Sequence, residues 1–191
     1  MSDSGEERQD QTATEVGLEY HVDAKGCLVY FSPGWDAQAR AGGAPQLVAE
    51  RILGQPLLDF ISDPTTAQVH ELLMKKARAS ASEVAVELRC DTQSRRQRLR
   101  LVITPEGPLL RYTCQLLSQV ARPAVALLDV EAPHAGPPIS MCSWCKRVLT
   151  AGRWVEVEAA VRALGLFEQA SVPRVTHGIC EECLERYSKG L

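Results

Sequence analysis

Apolar and polar positions alternate at Leu18, Tyr20 and Val22, and the alternation resumes over Cys27-Leu-Val-Tyr-Phe31 after Asp23-Ala-Lys-Gly26. This period of two predicts a pair of half-buried strands, with Gly26 carrying the turn between them. Ser32-Pro33 then offers an N-cap and a first helical proline, predicting a short helix through Trp35 and Ala39 that Gly42-Gly43 stops. A second short helix is expected from Pro45 to Gly54. Asp63-Pro64 repeats the cap signal before a longer helix to about Ser80, whose Val69, Leu72, Leu73 and Ala77 share one face and must cover a sheet. Three strands follow: residues 83–90 with Val84, Val86 and Leu88 inward, 98–104 with Leu99, Leu101 and Ile103 inward, and 109–117 with Tyr112, Cys114 and Leu116 inward. Two strands, short helices and three strands make an α+β unit.

Either side of that unit the pattern changes. Residues 1–15 hold Asp3, Glu6, Glu7, Asp10 and Glu15 against Arg8 alone, without apolar periodicity, so a disordered tail is expected. Residues 16–130 form the predicted domain. Glu131-Ala-Pro-His-Ala-Gly-Pro-Pro138 reads as a semi-stiff linker, and residues 139–191 as a small second module. In that module Val157, Ala160, Val161 and Leu164 share a helical face, with Glu158 and Arg162 as an i,i+4 pair opposite, and a last short helix is expected from Cys180 to Tyr187.

Cys142-Ser-Trp-Cys145 and Cys180-Glu-Glu-Cys183 set two Cys-x-x-Cys pairs 34 residues apart. Two residues between thiolates let both sulfurs of a tight turn face one ion at about 2.3 Å, so the pairs predict one zinc per chain held by Cys142, Cys145, Cys180 and Cys183. A closed four-sulfur shell leaves no position for water, and the default role is structural. Redox thiols, or buried or bridged cysteines, are the competing readings. His177, three residues before Cys180, is expected to orient a thiolate or to replace a ligand. Trp144 is expected to pack, and Cys27, Cys90 and Cys114 to fill core positions.

The element order resembles a PAS sensor domain. Asp23-Ala-Lys-Gly26 matches the Asp-x-x-Gly turn between the first two PAS strands, and Tyr30-Phe-Ser-Pro-Gly-Trp35 and Gly54-Gln-Pro-Leu-Leu-Asp-Phe-Ile61 look like bacterial PAS-like proteins. Met141-Cys-Ser-Trp-Cys-Lys146, Trp154-Val-Glu156 and Thr176-His-Gly-Ile-Cys180 look like a cysteine module that follows PAS or receiver domains in bacterial regulators. The resemblance implies a five-stranded antiparallel sheet with flanking helices and a sensory or regulatory role. His70 lies on the helix from which some haem-binding PAS domains supply a ligand, but at the edge of its apolar face, and the Asn-Cys-Arg-Phe sequence of light-sensing flavin PAS domains is missing. Neither haem nor flavin is expected, and the PAS ligand is unassigned.

The chain has 191 residues, a net charge of -3 and a pI near 5.8, which gives no general pull toward nucleic acid or anionic membranes. No signal peptide or membrane-length apolar run is present in the sequence, and seven cysteines including the paired four fit a reducing compartment, so a cytoplasmic protein is expected. Arg95-Arg-Gln-Arg98 with Arg100 reads as a solvated hairpin. Phosphate loops, nucleophile elbows and metalloenzyme motifs are lacking, so no enzyme is expected. The leading expectation is a sensory or protein-interaction adaptor, with a protein partner and a homodimer both compatible. A zinc-dependent nucleic-acid-binding regulator and a thiol redox switch are the alternatives. Residues 139–191 carry seven Lys or Arg against six Glu, and a zinc tetrathiolate adds about -2. The isolated, zinc-loaded module is therefore expected to bind duplex DNA more weakly than micromolar near physiological salt in an anisotropy titration; micromolar or tighter binding would favour the nucleic-acid reading.

Overall fold

The computed structural model describes residues 17–129, 131–166 and 171–188. The expected acidic tail lies outside them. Strands β1 (Leu18–Val22) and β2 (Leu28–Phe31) form the first hairpin. Its turn is set by the Asp23 carboxylate, which accepts from the Lys25 and Cys27 amides at 2.8 and 2.9 Å, while Gly26 takes φ 88°, a conformation that favours a residue without Cβ.

Helix α1 (Trp35–Ala41) starts three residues after Ser32, at a Gly34 cap. The Ser32 hydroxyl is engaged elsewhere, accepting from the Glu19 amide of β1 at 3.1 Å. The expected helix from Pro45 divides into a single 3₁₀ turn, Pro45–Leu47, and α2 (Ala49–Ile52), whose first amide is held by Asp36 at 2.8 Å. The Asp63 cap is as expected: its carboxylate accepts from the Thr66 amide at 2.7 Å and opens α3 (Pro64–Ser80). Val69, Leu73 and Ala77 on its inner face are 1 %, 2 % and 0 % exposed.

Strands β3 (Val84–Arg89), β4 (Arg95–Glu106) and β5 (Leu109–Ala121) complete a five-stranded antiparallel sheet in the order β2-β1-β5-β4-β3. This is the sheet that the PAS resemblance implied. Its inward positions carry Val84, Val86, Leu101, Ile103, Leu110 and Tyr112, and Tyr112 stacks on Tyr20 with ring centres 4.6 Å apart. The space between sheet and helices is therefore packed with side chains. Both ladder strands run longer than their apolar periodicity, because their distal ends are held by polar contacts that no apolar pattern records.

After β5 the chain adds a four-stranded sheet, order β8-β7-β6-β9, made of β6 (Ile139–Cys142), β7 (Val148–Thr150), β8 (Arg153–Val155) and β9 (Val175–Gly178). Helix α4 (Val157–Ala163) packs beside it and α5 (Glu181–Ser188) ends the described chain. The two helices were expected and the four strands were not; each is only three or four residues long, too short to show a period. A second apolar cluster joins Val125 and Leu127 to Met141, Val148, Val157, Ala160, Val161, Leu166 and Val172. The proline-rich stretch is tied into this module, since the Val172 amide donates to Pro133 at 2.9 Å and the Ala135 amide donates to Val172 at 3.0 Å. No helix among the described residues is long and apolar enough to cross a membrane.

Each lateral edge of the larger sheet is closed in part by the chain itself. Along β2, the Leu28 amide donates to Gln55 at 2.9 Å and the Gly54 amide to Leu28 at 2.7 Å. Along β3, the Arg89 amide donates to Trp144 at 2.7 Å, and the Tyr187 hydroxyl donates to the Glu87 carbonyl. Replacing Asp63 with Ala should cost about 1 kcal/mol in urea unfolding, since it frees the Thr66 amide at the head of the helix that covers the sheet; an unchanged midpoint would remove that cap from the account.

Candidate metal centre

Strand β6 ends on Cys142, and the backbone reverses at once. The Cys142 amide donates to Arg147 at 2.8 Å and the Lys146 amide donates to Cys142 at 3.0 Å. Closing so tight a turn puts Lys146 in the left-handed region at φ 62°, a strained place for a long side chain. Strand β9 runs parallel to β6 with Gly178 opposite Cys142, and the Ser143 amide donates to Gly178 at 2.8 Å. This pairing closes the excursion between the two cysteine pairs and lays Cys180 beside Cys142, whose sulfur accepts from the Cys180 amide at 3.5 Å. Cys183 follows one turn later on α5, where the Leu184 amide bonds back to Cys180 at 2.9 Å.

The four sulfurs expected from the sequence lie within 4.8 Å of one another, and those of Cys145 and Cys180 are 3.7 Å apart. A tetrahedron with arms of about 2.3 Å has edges of about 3.8 Å, so the spacing suits one ion held by four thiolates. Cys142, Cys180 and Cys183 are buried, Cys145 is half-buried, and all four are unbridged. Crowding divides the charge among them. Hydrogen bonds from Cys145 and Cys183 hold the Cys142 thiol far below its ordinary range, and the reciprocal bonds push Cys145 up to about 12 and Cys183 higher still. A second thiolate beside the first needs a cation among them, and an all-sulfur donor set suits a soft divalent one. The four cysteines can hold a metal ion.

Around the sulfurs the module grips the larger sheet. Trp144, between the first two cysteines, is 3 % exposed. Its ring stacks on His70 of α3 at 5.1 Å and meets Tyr187 of α5 at 4.5 Å. One apolar cluster consequently runs from Tyr20 and Leu73 through Trp144 to Cys142, Cys180 and Cys183. Beside it lies an ion network. Arg89 pairs with Glu156 at 2.6 Å and with Asp91; Arg122 pairs with Asp91 and Glu158, both at 3.2 Å; Arg96 pairs with Glu158 at 3.0 Å. The Asp91 and Arg122 side chains are 0 % and 6 % exposed.

Other candidates fall in different places. His177 stands on β9 outside the four-sulfur group, its pKa lowered by partial burial and by Lys146 against an opposing pull from Asp63. His70 faces Trp144, and burial lowers its pKa to about 4. Cys27 and Cys114 are partly buried, but Cys90 is exposed, because β3 ends at Arg89 and the chain turns away from the core. Of the basic cluster, Arg98 and Arg100 sit at the surface facing Glu87 and Glu83, as a solvated hairpin requires, whereas Arg96 reaches Glu158. Glu158 thus spends its charge on Arg96 and Arg122. Arg89, Asp91 and Arg122 were not singled out, and Glu156 only as part of the Trp154-Val-Glu156 motif, since their partners lie 31 to 67 residues away and only Asp91 and Arg89 are near neighbours in the chain.

No protein-family model matches the chain, and no curated protein matches it. Solved PAS domains do. The PAS domain of the Cronobacter turicensis quorum-sensing receptor RpfR, in complex with BDSF, aligns at 14 % identity and TM-score 0.41, covering 53 % of this chain and 94 % of that one. The photoactive yellow protein domain of the sensor histidine kinase Ppr from Rhodospirillum centenum aligns at 13 % and 0.40, covering 53 % and 87 %. The PAS domain of Bordetella pertussis BvgS aligns at 16 % and 0.36, covering 53 % and 72 %.

Because His70 is neutral in the folded chain down to about pH 4 but takes up a proton near 6.5 when unfolded, stability should fall as pH drops through that window. Between pH 7 and pH 5 the loss from this group should be about 2 kcal/mol in chemical denaturation. His70→Phe, which shares every acid effect at the sulfurs, should show a correspondingly smaller drop; equal drops would mean the ring is not buried against Trp144.

Proposed function

We propose that this chain is a non-catalytic, cytoplasmic regulatory protein in which a PAS-like domain communicates with a protein partner through a zinc-held module docked on its edge strand. The observation that carries the reading is Trp144. It lies between two of the four clustered cysteines, gives its carbonyl to the Arg89 amide at 2.7 Å, and stacks its ring on His70. Whatever orders the cysteine turn therefore also orders the open side of β3.

Zinc is the ion that this donor set favours: four sulfurs at tetrahedral spacing, with no nitrogen or oxygen ligand among them. Cys142, Cys145, Cys180 and Cys183 would hold it, and a closed tetrathiolate supplies structural stability rather than an activated water. Lys146, which feels the Cys142 thiol, and Arg147, which feels that of Cys145, lie close enough to offset part of the negative charge of such a centre, Arg147 also pairing with Glu156 at 3.5 Å and with Glu182. The packing of Tyr20, Leu28, Val69, Leu73, Ile103 and Tyr112 between helices and sheet favours sensing by contact over capture of a large ligand in that space.

Cys180→Ser should lower bound zinc from one per chain to well below one, unfold the module and leave the larger sheet folded. Hydrogen exchange at the Arg89 amide should rise at least about tenfold, the loss of one sheltered hydrogen bond. A full complement of zinc in the variant would sink the four-sulfur site. Zinc loss with the Arg89 amide still protected would leave the site but sink the coupling.

A further inference from the structure

The lateral edges at β2 and β3 are each covered in part, at Leu28 and at Glu87 and Arg89, and the end of β5 leaves a third one open. Strand β1 pairs with β5 only from Leu110 to Cys114, while β5 continues to Ala121 against β4. Among the described residues nothing pairs with the β1 side of residues 115–121. The Arg122 amide points toward β4, donating to Ser94 at 3.0 Å. Direction alternates along a strand, so Gln119 and Ala121 present their N–H and C=O groups to the open side. The register shift opposite Arg98 and Leu99 falls at Leu117, and the ladder is regular beyond it. Leu117 and Val120 are 43 % and 62 % exposed.

An open edge is normally guarded by lysine, proline or another charge. Gln115-Leu-Leu-Ser-Gln-Val-Ala121 has none of these. The next cation, Arg122, is turned inward to Asp91 and Glu158. Apolar residues stand at both ends of the run, Leu116 and Leu117 at one and Val120 and Ala121 at the other, around Ser118 and Gln119. An antiparallel copy centred on Gln119 would set Leu117 against Ala121 and Ser118 against Val120, and would oppose no like charges. A charged partner segment would find no counter-charge on it.

We propose that a second copy of this chain occupies this edge, the two β5 ends pairing antiparallel about a twofold axis so that one sheet runs through both copies. A twofold contact uses the same patch on each side, which is what a self-complementary run supplies. The paired run is short, so the interface belongs to the small class below about 1,200 Å² and the dimer should be weak and concentration-dependent. The inference gives a surface to the homodimer expectation and does not depend on which ion the cysteines hold.

Sedimentation equilibrium of the full chain from about 2 to about 200 μM tests it, a range that spans a micromolar dissociation constant. The expected mass rises from the 20.9 kDa of one chain toward twice that value. Gln119→Pro removes an outward N–H that β4 does not use, and Val120→Lys places a charge on the run. Each should shift the midpoint of association at least tenfold upward with an unchanged circular dichroism spectrum; should the proline variant unfold, the lysine variant alone decides. A single-chain mass throughout overturns the proposal, and a dimer that then appears on deleting residues 1–16 would assign the edge to the chain's own N-terminal segment. Dimers of wild-type strength in the folded variants place the contact on another face and equally overturn it.

Discussion

Four thiols within 4.8 Å of one another cannot all ionise unless a positive charge stands among them. The C-terminal module is arranged around that constraint. Its strands are three or four residues long and its helices seven and eight, well under the length of about 12 to 15 at which an isolated helix holds itself in water. The β6–β9 pairing and the second apolar cluster bring the cysteine turns close, and the sulfurs supply the remaining fixed point. Because Trp144 belongs to one of those turns, the constraint reaches past the module to the edge of the five-stranded sheet.

Two kinds of contact hold the halves together, and they do different work. The His70, Trp144 and Tyr187 rings exclude water and supply net stabilisation, of order 0.5 to 1.5 kcal/mol per ring pair beyond the buried area. The Asp91 and Arg122 pair is deeply buried, and for such ions desolvation offsets much of the mutual attraction, so its net contribution is small. Its effect is on geometry. A slipped docking would strand a buried charge at a cost of about 3 to 5 kcal/mol, so the network selects one seating of Glu156 and Glu158 against Arg89, Arg96 and Arg122.

Legibility in the sequence followed the range of each interaction. The first hairpin, the Asp63 cap and the inward residues of the three long strands depend on neighbours two to four positions away, and local periodicity reveals them. The four cysteines were legible because each Cys-x-x-Cys pair is a short local spacing, of the kind that could hold a metal ion. Ser32 was misplaced as a helix cap because its hydroxyl finds a partner 13 residues back, on β1. Cys90 was misplaced because alternation alone does not show where a strand ends. The ion network spans up to 67 residues and has no period at all.

Strand β3 and its covers are far apart in chain order, with Tyr187 lying 100 residues after Glu87. At about 5 to 20 residues per second of synthesis, a nascent chain would carry this edge uncovered for some 5 to 20 seconds before α5 exists. Glu87 and Arg89 on the strand, and Glu83 just before it, put charge there throughout that interval, and charge is what discourages an exposed edge from pairing with a stranger. Residues that look merely solvated in the finished fold thus have their sharpest use while the fold is still being made.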